Sequence, residues 1–253
     1  MKRQSYNTVN ILAISFVSAL GGYLFGFDFA VISGALPFLQ KQFSLNAYWE
    51  GFATGSLALG AIVGCLYAGF YSDRHGRRPA LLLAATVFLI SALAMALAPG
   101  RDLFIFFRFC AGIGVGMASV LSPLYIAEIS PAAVRGRMVA INQLTIVIGI
   151  LITNLVNFSL RNNGDNAWRW MFGLGAVPAL LFLLGAWWLP ESPRWLLRAG
   201  QPEKAKDVLR KIGDEAYVEE AFNSMNQPAQ SSVKTSYRQV FQKAVMPAVM
   251  VGI

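Results

Sequence analysis

Two full charges sit inside otherwise apolar stretches of this 253-residue chain, Asp28 and Arg108. An ionisable side chain in hydrocarbon is costly unless it is paired or hydrated, so a functional role is its default reading. Counted at about 1.5 Å per residue, Asp28 lies near 10 Å deep and Arg108 near 8 Å deep from the same side. Equal depth and opposite charge point to a mutual pair. An adjacent arginine lowers a carboxyl pKa and burial raises it, so a moving partner would let the aspartate load and release a proton. The plainer alternative is a static ion pair joining two helices. A second set is made of amides. Gln143, Asn154 and Asn157 are 11 and 14 positions apart, which returns to nearly one helical face, with Ile150 between them. Amides both donate and accept, which suits sugar hydroxyls, although amides also tie membrane helices to one another.

The elements that must position these groups follow from composition. Hydrophobic residues make up 56% of the chain and charged residues only 13%, about half the usual charge density of a soluble domain. Mean hydropathy is +0.51. Apolar blocks at 9–35, 51–71, 80–98, 103–127, 138–160 and 169–189 each approach the roughly 20 residues that cross a bilayer as a helix. The expected fold is therefore an all-α membrane protein with six transmembrane helices. With the amino terminus cytoplasmic, Lys2, Arg3, Arg74, Arg77, Arg78, Arg135 and Arg137 lie inside, joined by nine Lys/Arg between 190 and 243. Only Lys41, Arg101, Arg161 and Arg169 fall outside. That asymmetry is the positive-inside pattern, and it accounts for the net charge of +8 without nucleic acid. The expected location is the plasma membrane (the inner membrane in a bacterium). Cys65 and Cys110 both fall in spans and read as small core residues.

Residues 1–189 are read as a six-helix bundle and 190–243 as a cytoplasmic helical linker. Ser192-Pro193 opens one helix, and Ala205, Val208, Leu209 and Ile212 give another an apolar face. Residues 223–236 read as a loop. Apolar residues return at 244–253, about 15 Å of helix, which reads as the start of a truncated seventh span.

Three polar signatures punctuate the spans: Gly69-Phe-Tyr-Ser-Asp73-Arg74-His75-Gly76-Arg77-Arg78, Glu128-Ile-Ser-Pro131-Ala-Ala-Val-Arg135-Gly136-Arg137, and Pro190-Glu191-Ser192-Pro193-Arg194. Tight turns with inward positive charge explain the glycines and arginines but not the acids at fixed offsets. Acid–arginine pairs at helix ends make breakable links that hold one conformation. Gly51/Gly55, Gly60/Gly64 and Gly112/Gly116 each form GxxxG, which allows close helix packing. Gly112-Ile-Gly114-Val-Gly116 is no nucleotide fingerprint, because Met117 follows and no strand precedes. The sole histidine, His75, lies in a turn, and no metal-ligand cluster is present, so an enzyme is not expected.

Together these residues resemble the sugar porter family of the major facilitator superfamily. The resemblance rests on the three signatures, on Gly26-Phe-Asp28-Phe-Ala-Val-Ile-Ser-Gly34, on Arg108-Phe-Cys-Ala-Gly112-Ile-Gly114-Val-Gly116 and on Asn142-Gln143-Leu144. It implies 3+3 inverted repeats forming the amino-terminal half of a twelve-helix fold, with sugar bound at the midplane. By motif position it implies Gln143 as a sugar-binding glutamine and Phe25 as an aromatic lining residue. It places Asp28 and Arg108 at the proton-coupling pair of bacterial xylose- and galactose-type symporters. Facilitative glucose carriers tend to be uncharged where this chain has Asp28. Asp73, Arg77, Glu128, Arg135, Glu191 and Arg194 match the family's cytoplasmic charge network. Phe29 departs from the smaller or polar residue common after the aspartate. The expected function is proton-coupled symport of a monosaccharide or polyol, with the proton as coupling ion, no cofactor, and a carboxy-terminal half as partner. A facilitative uniporter, a non-transporting sensor and an inactive fragment are the alternatives.

Overall fold

The computed structural model describes residues 6–226. The expected seventh span at 244–253, and the linker beyond 226, lie outside the described residues. Five long helices open the chain: α1 (Thr8–Phe43), α2 (Ala47–His75), α3 (Arg77–Ala96), α4 (Arg101–Ile129) and α5 (Arg135–Leu160). The sixth apolar block forms α6 (Ala167–Gly173) and α7 (Ala176–Trp188), and the polar stretch forms α8 (Pro193–Arg198), α9 (Pro202–Arg210) and α10 (Glu215–Asn226). Six segments are long and apolar enough to cross a membrane, with α6 and α7 counting as one. Among the described residues the β-type pairing is a single bridge between Tyr6 and Gly213.

The sixth segment breaks for a local reason. Pro178 has no N–H to offer the Leu174 carbonyl, which instead accepts from Val177 at 3.1 Å. In α1, by contrast, Pro37 leaves the helix running to Phe43, well past the expected limit at 35. Buried Leu39 and the Phe43 ring continue its packing face there, the ring standing edge-on to Trp168 at 5.6 Å. Helix α10 also corrects the expected loop from 223: Ala221, Phe222 and Met225 pack on the core at helical spacing and carry the helix to Asn226.

Pairing of the helices reveals the internal repeat. The two most extensive contacts are α2 with α4 and α1 with α5. A two-fold exchanging α1 with α4, α2 with α5 and α3 with the sixth segment maps one of these pairs onto the other. The same operation relates α3–α4 to the contacts of α1 with α6 and α7, and it maps α1–α4 and α3–α7 onto themselves; all of these pairs touch. The bundle is thus 3+3 inverted repeats, with α1 and α4 crossing at its centre.

Glycines permit both main pairings. A methyl group on Gly60 would overlap the Phe109 carbonyl oxygen, one on Gly64 that of Ile113, one on Gly112 that of Leu57 and one on Gly116 that of Ala61. On the α1–α5 side, Gly26 meets the carbonyl of Ile146 and Gly149 that of Tyr23. Gly51 and Gly55 correct the sequence expectation, for among the described residues no neighbouring helix comes within 4 Å of a side chain placed at either.

Candidate functional site

Asp28 and Arg108 face each other where α1 and α4 cross. Asp28 is 1% exposed and Arg108 fully enclosed. Arg108 Nη1 donates to Asp28 Oδ1 at 3.2 Å and Nη2 to the Asp28 backbone oxygen at 3.4 Å. Among the described residues neither Asp28 Oδ2 nor Arg108 Nε has a partner. The pair is engaged through one carboxylate oxygen only, which leaves the second oxygen able to carry a proton without first breaking the contact. The guanidinium lies 5.4 Å from the Phe172 ring, itself wedged edge-on against Phe104. Both rings belong to the aromatic cluster that includes Trp168. The sequence reading missed Phe172, and its only signal there is aromatic density beside Trp168 and Trp170.

A cavity of about 350 Å³ opens beside this pair, walled by Phe25, Phe29, Ile32, Thr54, Leu57 and Arg108 among others. Phe25 and Phe29 stack nearly parallel across one turn of α1, with centroids 6.5 Å apart and 5° between planes. Apart from Arg108 and Thr54 its named walls are apolar.

The amide line of α5 does not reach that cavity. Gln143 and Asn154 are exposed and Ile150 half-buried on one open face of α5. The opposite face lies against α1, where the Thr145 hydroxyl reaches Ala19 O at 2.7 Å and Asn157 Nδ2 donates to Ala30 O at 3.2 Å. Asn157 therefore leaves the line that its spacing suggested: it sits about 60° round the helix from Asn154 at 100° per residue, enough to turn it inward. The structure brings Asp28, Arg108 and Phe25 together; Gln143, Ile150 and Asn154 do not line that cavity, although the Ile150 backbone packs against Gly26 of α1.

At the opposite end of α4 the three polar signatures converge on Arg77. Its Nε and Nη2 grip both oxygens of Glu128 at 3.0 Å, and Nη1 donates to Asp73 at 2.8 Å and to Ser72 O at 3.1 Å. A bidentate arginine–carboxylate pair of this burial is geometrically demanding and strong when made. Glu191 binds the start of α3, accepting from the backbone of Arg77 at 2.8 Å, of Arg78 at 3.2 Å and of Ser192 at 2.8 Å. Burial pushes the Glu191 carboxyl above its ordinary range, against the pull of those three N–H groups. Gly76 makes this approach feasible. Its φ of +104° is a left-handed value, and the Glu191 carboxylate occupies the place of any side chain. Arg78 donates to Trp187 O, Tyr125 to Pro190 O at 2.7 Å and Trp195 Nε1 to Asp73 O at 3.0 Å, binding the ends of five helices, α2, α3, α4, α7 and α8. Tyr125 and Trp195 were not singled out by sequence, since single hydrogen bonds to backbone carbonyls leave no spacing signal.

The remaining members stand apart. Gly69, Arg74, Gly136 and Arg194 are exposed. Arg135 does not pair with Glu128, which Arg77 has claimed; it donates to Ser130 O at 3.4 Å. Arg135 and Arg194 instead share the wall of a separate cavity against α10.

A family model described as sugar (and other) transporter matches residues 14–253. The arabinose-proton symporter of Bacillus subtilis is 37% identical over 99% of this chain and 55% of its own length. The major myo-inositol transporter IolT of the same organism is 44% identical over 85% of this chain and 46% of its own. Among solved structures, the proton:xylose symporter XylE bound to 6-bromo-6-deoxy-D-glucose superposes with a TM-score of 0.83 at 38% identity, covering 87% of this chain and 53% of the other. The chain thus spans about half the length of the relatives it matches. It is a multi-pass membrane protein and belongs to the sugar porter family of the major facilitator superfamily.

Proposed function

We propose that this chain supplies one half of a proton-coupled monosaccharide or polyol symporter working by alternating access, with the proton carried at Asp28. The observation that carries the reading is the buried Asp28–Arg108 contact, made through one carboxylate oxygen and bordered by an aromatic-walled cavity. Protonating Asp28 weakens its hold on Arg108, which then turns toward the cavity; deprotonation restores the pair. In the same reading Phe25, Gln143, Ile150 and Asn154 contact sugar, Gln143 and Asn154 from the open face of α5. The Arg77–Glu128–Asp73 cluster with Glu191 and Gly76 is a cytoplasmic gate, and Gly69, Arg74, Arg78, Arg135, Gly136 and Arg194 belong to its surround. Support comes from two relatives named as proton symporters. The test is uptake against a concentration gradient at varied external pH. Asp28→Asn is expected to abolish pH-driven accumulation while exchange of sugar at equilibrium persists. Accumulation by the variant at the unmodified rate, with its pH dependence intact, would remove Asp28 from coupling. Insensitivity of the parent protein to a protonophore would select uniport.

A further inference from the structure

A cavity of about 250 Å³ lies on the charged end of the bundle, away from Arg77 and its partners, between the α4–α5 turn and helices α8 and α10. Its chemistry is that of an anion site. Arg135 and Arg194 both line it, and neither has a carboxylate oxygen within 4 Å among the described residues. Ser130 forms part of the wall; it is 2% exposed and its hydroxyl has no partner among the described residues. Arg135 Nε is likewise buried without an acceptor among those residues. The hydroxyl-bearing side chains of Tyr217 and Ser224 stand on the α10 side.

Helix α5 adds a second field. It begins at Arg135, beside this cavity, and has neither a side-chain cap nor an acid in its first turn. A 26-residue helix with uncapped N–H groups presents a fixed positive dipole end, where most helices place an acid or a hydroxyl. Arginines without acid partners, a buried hydroxyl, a buried guanidinium N–H and an uncapped helix start converge on one hollow. A phosphate group, with its acceptor oxygens and negative charge, satisfies all four features. The volume falls below the roughly 300–1,000 Å³ usual for whole small-molecule ligands, so the hollow fits a phosphoryl group alone.

We infer that the Arg135–Arg194–Ser130 cavity binds a phosphate group, either of a phospholipid headgroup or of a soluble phosphate. A bound phosphate would tie the α5 start to α8 and α10, and so tie the membrane bundle to the helices after Pro190.

The test is thermal unfolding of the 253-residue chain in phosphate-free detergent micelles, titrated with inorganic phosphate against chloride at matched ionic strength. Phosphate is expected to raise the midpoint saturably. Arg194→Gln, at an exposed position, is expected to weaken the apparent affinity about tenfold. A second titration, with phosphatidylglycerol in the micelle, separates the sources. If the lipid stabilises and removes the phosphate response, the headgroup is the occupant; if phosphate still binds beside saturating lipid, a soluble phosphate is. A midpoint that responds to phosphate no more than to chloride, with no lipid effect, overturns the proposal, as does full affinity in Arg194→Gln.

Discussion

Burial without full satisfaction separates the two ionic clusters in this protein. Arg77 has every carboxylate oxygen of Glu128 and one of Asp73 in hand, whereas Arg108 holds one oxygen of Asp28 and leaves the other free. The first arrangement resists change and the second invites it. The Asp28–Arg108 contact was legible in sequence because two opposite charges at equal depth in hydrocarbon have few other partners. The Arg77–Glu128 pairing was not, since Arg135 is closer to Glu128 along the chain and only the fold brings Arg77 across. Glu191 carries a prediction at this scale. Its carboxyl is pushed above the ordinary glutamate value by burial, so the folded chain binds a proton at a pH where the unfolded chain has lost it. Its contribution to stability is therefore fully present in acid below the unfolded value near 4.3, and is lost as pH rises through the raised folded value. Melting curves of the parent and Glu191→Gln should diverge over that window, the parent losing ground as pH rises and then running parallel. Parallel curves throughout would mean that the three N–H bonds offset the burial.

Among the helices, the spans were readable from apolar length alone, and the packing between them only in part. Three GxxxG pairs look alike in sequence, yet Gly60/Gly64 and Gly112/Gly116 interlock while Gly51/Gly55 faces nothing in the described residues. Spacing marks where a close approach is allowed; the neighbour decides whether it happens. The break after Gly173 had a signal in Pro178, and the length of α1 ran against the one in Pro37, because each effect depends on whether neighbouring helices hold the segment straight. The split of the α5 amides was hidden for a related reason: the 40° between positions 143 and 157 is small on a wheel but spans the edge of a contact. Gly60→Leu and Gly112→Leu are expected to separate α2 from α4, because their new side chains meet backbone that cannot move aside. Each should cost about 3 kcal/mol or more, in the range of severe overpacking. Gly51→Leu should change the melting of this chain by no more than about 0.5 kcal/mol. Equal losses at positions 51 and 60 would contradict the seam described for α2 and α4.

On the scale of the whole molecule, the two ends of the bundle differ in charge and in construction. One end gathers Arg77, Arg78, Arg135 and Arg194 with helices α8 to α10, and the amino terminus is fastened there, with Asn7 N donating to Ile212 O at 2.7 Å and Asn10 Nδ2 to Lys211 O at 3.1 Å. The other end holds Lys41 paired with Asp165 at 2.7 Å, Arg101 over the Trp49 ring at 3.6 Å and Arg169 bonded to the carbonyls of Ala96 and Ala98. There the cations are few and occupied locally, so they contribute little to a field that sorts loops during insertion. The first end, rich in arginine, is the one that the positive-inside rule retains in the cytoplasm. Topology can be read with single cysteines in a Cys65→Ser, Cys110→Ser background. Asn163→Cys, in the exposed turn between α5 and α6, should react with an impermeant maleimide added to intact cells. Arg198→Cys, exposed at the end of α8, should react only after the membrane is opened. The reverse pattern would invert the orientation. It would also move the Arg77–Glu128–Glu191 cluster and the proposed phosphate site to the outer face, where neither a cytoplasmic gate nor an inner-leaflet headgroup could be its purpose. Labelling these two positions therefore decides which side of the membrane every later transport experiment must address.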